Sequence, residues 1–120
     1  MNKKKLVQEF YKFRFSENEK IETFLHPEVS LSWNSTTGLY SLDYEGIVAL
    51  IKEISGAYAS LRTDITHLVK EKDTVAIRFT YFVRTVENPD EELPMARFMA
   101  FWEIKDEKLY KGFQISQTVE

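Results

Sequence analysis

The chain has 120 residues, 43% of them hydrophobic, with sixteen basic and nineteen acidic side chains and a net charge of -3. A chain of this length buries roughly two thirds of its unfolded surface, so residues 1-120 are expected to form one domain without a disulfide or metal staple. The acidic balance argues against a nucleic-acid partner, and the lack of cysteine excludes disulfides, thiolate nucleophiles and Cys-ligated zinc.

Leu6, Val7, Phe10 and Tyr11 recur at helical spacing, so residues 3 to 14 read as an amphipathic helix. The Lys3-Lys4-Lys5 run is its solvated start. No apolar signal region follows it, and no run approaches the roughly 18 residues of a membrane span, so a cytoplasmic protein with no membrane partner is expected. Ser16-Glu17-Asn18-Glu19 has the form of a capping box opening a second short helix, which buries Ile21, Phe24 and Leu25 and ends before Pro27. Val29, Leu31 and Trp33 alternate with Ser30, Ser32 and Asn34, a half-buried strand that runs into the polar loop Ser35-Thr36-Thr37-Gly38. Ile47, Leu50, Ile51, Ile54 and Tyr58 form one apolar stripe and predict a third helix over residues 45 to 58.

Ile65 to Lys70 and Thr74 to Thr85 read as strands around a Glu71-Lys72-Asp73 turn. On the second, Val75, Ile77, Phe79, Tyr81 and Val83 share one face. The acidic, proline-containing stretch from Glu87 to Pro94 predicts a loop. Ala96 to Gln117 then reads as a β-hairpin around Asp106-Glu107-Lys108. With a three-residue turn, Lys105 faces Leu109, and Trp102 pairs with Gly112, Ala100 with Gln114 and Phe98 with Ser116 on one face. Met99 then pairs with Ile115, and Phe101 with Phe113, on the other. Both faces are apolar, so one should meet the core and the other a partner. Met99, Phe101, Phe113 and Ile115 predict a homodimer interface. The order of elements predicts an α+β fold with helices on one face of a curved antiparallel sheet.

This order, with FLHPEVSLSWN at residues 24–34, LDYEGIVALI at 42–51 and FMAFWEIKDEKLYKGFQISQ at 98–117, resembles the nuclear transport factor 2-like superfamily and, within it, small SnoaL-like proteins. The resemblance implies a cone-shaped sheet wrapped around about three N-terminal helices, with a deep apolar pocket inside. It also implies dimers formed through the sheet's outer face. The inner wall would comprise Ala96, Phe98, Ala100, Trp102, Tyr110, Gly112, Gln114 and Ser116, with Trp33, Phe79 and Tyr81 on neighbouring strands. Small residues among large rings leave volume for a ligand. Alternatively, they make room for Phe10, Phe24 and Tyr58 in a filled core.

Relatives resembling ketosteroid isomerase use an Asp base at the end of the first strand and a protonated Asp on the next-to-last strand. The matching positions here are Trp33 and Ala100, neither of which can move a proton. The acid of the polyketide cyclases has no clear counterpart. Gln114 is the central polar side chain, and an amide can orient a carbonyl. His26 is expected to cap a helix end. His67, alternating with Ile65 and Val69, and Asp64 beside it are the weak catalytic candidates, an ordinary exposed histidine being the commoner outcome. Two distant histidines make no metal signature, and no cofactor is implied. The expected function is a small-molecule pocket protein for an apolar carbonyl-bearing or aromatic ligand, with isomerase, cyclase and dehydratase chemistry all open. The alternative is a dimeric interaction module with a filled core.

Overall fold

The computed structural model describes residues 2–12 and 21–119. Helix α1 (Lys3–Tyr11) begins at Asn2, whose side chain accepts the Lys5 N–H at 3.1 Å, and it buries Leu6, Val7, Phe10 and Tyr11, the stripe read from the spacing. The capping box expected at Ser16 to Glu19 lies outside the described residues. α2 (Ile21–Phe24) is a single turn, because Leu25 already belongs to strand β1 (Leu25–Ser35) and pairs with Leu109. The residue before Pro27 also favours extended backbone. Among the described residues, two helices longer than one turn therefore stand where about three were expected.

The polar loop after β1 is a tight turn into a strand that the sequence did not suggest, β2 (Gly38–Leu42). Ser35 Oγ accepts the Thr37 N–H at 3.2 Å and donates to the Gly38 carbonyl at 3.1 Å, and Gly38 takes φ 137°, which suits glycine. β2 is exposed along most of its length, so it carries no alternation to read. Helix α3 (Tyr44–Ala57), capped by Asp43 Oδ1 accepting the Gly46 N–H at 2.9 Å, matches the predicted span to within a residue. It carries the chain from edge strand β2 to the opposite edge, β3 (Ser60–Glu71). β4 (Thr74–Arg84), β5 (Glu92–Lys105) and β6 (Lys108–Thr118) follow. Pro94, expected in a loop, lies within β5 opposite Phe82, beside a register shift that tolerates its missing N–H.

The six strands form one sheet in the order β2-β1-β6-β5-β4-β3. It is mixed rather than antiparallel, because the first strand and the last meet side by side and run parallel, Leu31 beside Gly112 and Trp33 beside Gln114. Every predicted hairpin pair from Glu103 outward is present, including Trp102 with Gly112 and Phe101 with Phe113. The turn itself differs. It has two residues, Asp106 and Glu107, at φ 54° and 62°, the left-handed pair that matches strand twist. Ile104 then faces Leu109, and a bulge absorbs Tyr110, so the register beyond is unchanged. Tyr110, expected on the inner wall, instead meets the His26 ring at 4.9 Å and the Lys105 ammonium at 4.7 Å at the hairpin's end.

Candidate functional site

α1 packs against β3, β4 and β6, and α3 against β1 and β2, so the sheet face beneath them is the inner one. The strand alternation places Phe79, Tyr81, Phe98, Ala100, Trp102, Gly112 and Gln114 on that face, all buried. Phe79 and Phe98 are cross-strand partners that stack at 5.0 Å with planes 4° apart. Tyr81 meets Phe98 edge-on at 5.1 Å, and Trp33 lies 6.4 Å from Phe98 at 26°. Burial falls along this wall. Trp102 is 0% exposed and Phe79 1%, Phe98 reaches 8%, and Trp33 and Ser116 are half-buried, joined by a bond from the indole Nε1 to Ser116 Oγ at 2.9 Å.

The deep end is closed by α1. Phe10 packs edge-on to Trp102 at 6.0 Å, and Tyr11 lies 4.5 Å from Phe79. Trp102 Nε1 donates to the Tyr11 hydroxyl at 2.8 Å, and that hydroxyl donates to Gln114 Oε1 at 2.7 Å. The Tyr11 carbonyl, past the helix's last internal bonds, accepts from Thr63 Oγ1 at 2.7 Å and from the Tyr81 hydroxyl at 3.5 Å. Burial raises the pKa of both Tyr11 and Tyr81 well above the usual phenol range, so both hydroxyls are neutral donors. The predicted handle Gln114 is thus already engaged through its carbonyl, which leaves its amide N–H donors outside this chain of bonds. Tyr11 was read only as part of an apolar stripe; nothing in helical spacing says that its hydroxyl tip would meet a glutamine 103 residues later.

The histidines are placed differently from expectation. His26 is not a helix cap: its Nδ1 accepts the Glu28 N–H at 3.0 Å, so Nε2 carries the proton facing Asp106 Oδ2 at 3.3 Å, tying β1 to the β5–β6 turn. His67 does not share a face with Ile65. A bulge between Ile65 and His67 reverses the alternation, and His67 is exposed on the outer face together with Val69. Asp64 is also exposed, opposite Thr80. Neither approaches the inner wall, and among the described residues no group of His, Asp or Glu could hold a metal ion.

On the outer face Met99, Phe101, Phe113 and Ile115 are 50 to 58% exposed, with Val69 and Leu39 at the two edges of the same stripe. No helix among the described residues is long and apolar enough to cross a membrane.

Comparison with known families matches residues 7–111 to the SnoaL-like domain. Among solved structures, IdmH from Streptomyces antibioticus, a candidate polyketide cyclase, superimposes with a TM-score of 0.77 at 14% identity, over 97% of this chain and 92% of that one. TerC, crystallised with polyporic acid, gives 0.70 at 17% identity, over 95% and 91%. A nuclear transport factor 2-like protein of unknown function from Burkholderia pseudomallei gives 0.67 at 14%, over 95% and 90%. Identities this low establish a shared fold. No curated protein matches the chain.

Proposed function

The chain belongs to the SnoaL-like domain family, and on that footing we propose that it is a small-molecule pocket protein for an apolar, carbonyl-bearing or aromatic ligand. The observation that carries this reading is the gradient of burial along the inner wall. An aromatic surface fully closed at Trp102 opens toward Phe98, Trp33 and Ser116, where a ring could stack and a carbonyl could meet a hydroxyl. Gln114, through its amide, and Ser116 would supply the polar contacts, and Phe79, Tyr81, Ala100, Trp102 and Gly112 the wall. IdmH is a candidate polyketide cyclase and TerC was crystallised with polyporic acid. A polyketide, which carries carbonyls on an apolar framework, is the ligand class these relatives suggest.

The groups at hand bind and orient. Trp33 and Ala100 stand where the resemblance puts the two carboxyl groups of the ketosteroid isomerase kind, and neither can move a proton, while the Tyr11 hydroxyl already donates its hydrogen bond to Gln114. The protein works as a binder, or as a catalyst that holds one ligand conformer for a reaction the ligand undergoes by itself. We take the working form to be a homodimer, since the stripe of Met99, Phe101, Phe113 and Ile115 is of the kind that marks an interface.

The filled-core interaction module is the second reading, favoured by the way Phe10 and Tyr11 occupy the deep end and engage Gln114. Tryptophan emission separates the two, because both indoles line the inner wall. A panel of aromatic ketones and acids should quench or blue-shift wild-type emission, and Trp33→Phe should lose the response. Ala100→Leu should block the response without unfolding if space remains there, but cost about 1 to 3 kcal/mol in a filled core. Flat emission across the panel together with a destabilised Ala100→Leu variant would favour the interaction module.

A further inference from the structure

Each inner-wall indole fixes the direction of a hydrogen bond, because its Nε1–H can donate but not accept. Trp33 makes Ser116 Oγ an acceptor at 2.9 Å, and among the described residues the Ser116 hydrogen has no acceptor of its own. Two residues earlier on the same face of β6, Trp102 acts in the same way through Tyr11. Its Nε1–H makes the Tyr11 hydroxyl an acceptor at 2.8 Å, so the Tyr11 hydrogen goes to Gln114 Oε1 at 2.7 Å, and the two N–H groups of the Gln114 amide are left over. No buried side-chain nitrogen or oxygen among the described residues lacks a partner, so this amide nitrogen, which has none, is not sealed inside the core. The Thr63 and Tyr81 hydroxyls both spend their hydrogens on the Tyr11 carbonyl.

β6 thus turns two donors inward, the Gln114 amide and the Ser116 hydroxyl, from positions about 7 Å apart along the strand, while its side-chain carbonyl is already taken. The small Ala100 lies opposite the first and the flat ring of Phe98 opposite the second. Charge is missing from this face: among the described residues the buried polar or charged side chains are Gln114 and His26, the latter at the hairpin's end. An anion here would lose its water with no cation in exchange, and a ligand hydroxyl would find the amide oxygen occupied. We infer, on the footing that the inner wall is the pocket proposed for it, that the site takes a neutral aromatic ligand carrying two carbonyl oxygens on the order of 7 Å apart, one at Gln114 and one at Ser116. Trp33 is then a positioning residue, since its indole N–H commits the Ser116 hydroxyl to donating.

Three probes of one shape supply the test: para-diacetylbenzene, the diol made by reducing both of its carbonyls, and para-acetylbenzoate, each titrated by calorimetry with tryptophan emission as a second reading. The diketone should bind about fivefold or more tightly than the diol and about tenfold or more tightly than the acid. Ser116→Ala should weaken the diketone about fivefold and the diol less. Trp33→Phe frees the Ser116 oxygen to accept and should bring the diketone and diol affinities to within about twofold of each other, a change of ratio that loss of wall area alone would not produce. Equal affinity for diketone and diol in the wild-type protein, tighter binding of the acid, or a preference for the diketone that both variants leave unchanged would overturn the inference while the pocket stands. Silence from these three probes while other aromatic ketones or acids still change the emission would do the same. Silence across that whole panel would remove the pocket and the inference with it.

Discussion

Replacing Gly112 by alanine tests the central contact of the hairpin. A Cβ built there would lie 2.6 Å from Trp102 Cη2 and 2.7 Å from Cζ2 and Cζ3. Carbon atoms settle at about 3.5 to 4.0 Å, so the indole or the strand must move by about 1 Å. The ring has little freedom, being 0% exposed, packed edge-on against Phe10 and anchored through Nε1 to the Tyr11 hydroxyl at 2.8 Å. Lengthening that bond by about 1 Å takes it beyond hydrogen-bonding range. Overpacking costs about 1 to 3 kcal/mol and a broken buried hydrogen bond about 1 to 3 more, so Gly112→Ala should lose about 2 to 6 kcal/mol and lower Tm by on the order of 10 to 20 °C. Urea unfolding followed by circular dichroism and tryptophan emission measures this directly. Gly56→Ala, where a Cβ meets nothing within 4 Å on an exposed helical position, is the control and should be neutral or up to about 1 kcal/mol stabilising. In a Trp102→Phe background the cost of Gly112→Ala should fall below about 1 kcal/mol, since the smaller ring removes the clash. A Gly112→Ala protein within about 0.5 kcal/mol of wild type, with unchanged emission, would refute the reasoning about this contact.

Tyr11→Phe removes one hydroxyl but strips the partner from both Trp102 Nε1 and Gln114 Oε1, so it should cost about 2 to 4 kcal/mol in urea unfolding; a loss under about 1 kcal/mol would contradict the chain of bonds. Phe101→Glu should give a folded monomer by sedimentation, and a wild-type mass of one chain at tens of micromolar would remove the dimer. Burial raises the Tyr11 and Tyr81 pKa values, so the folded state favours the neutral phenols: their contribution is fully present below the unfolded value near 10 and is lost as pH rises through the folded values. Tyrosinate absorbance from these two should therefore appear only together with alkaline unfolding, and gradual ionisation in a still-folded protein would count against their burial.

Alternation and helical spacing are local properties, and where a side chain's face follows from its neighbours the sequence was enough. The stripe of α1, the span of α3, the two faces of β4 and the pairing of Phe98, Ala100 and Trp102 across to β6 are all legible in the sequence. Even the small size of residue 112 could be read as room for the indole opposite. Three things were not legible, each for a physical reason. β2 is exposed along most of its length and so has no hydrophobic period, and only pairing with β1 makes it a strand. The bulges at Thr66 and Tyr110 shift the alternation by one residue, which sent His67 to the outer face beside Arg78 and took Tyr110 from the wall, and a period-two pattern carries no mark of where it slips. The meeting of Tyr11, Trp102 and Gln114 depends on how α1 lies across a sheet whose first and last strands run side by side. Long-range docking of this kind is set by the packing of whole elements, so only the tertiary structure could decide that α1 closes the wall at Trp102 and that burial falls toward Trp33.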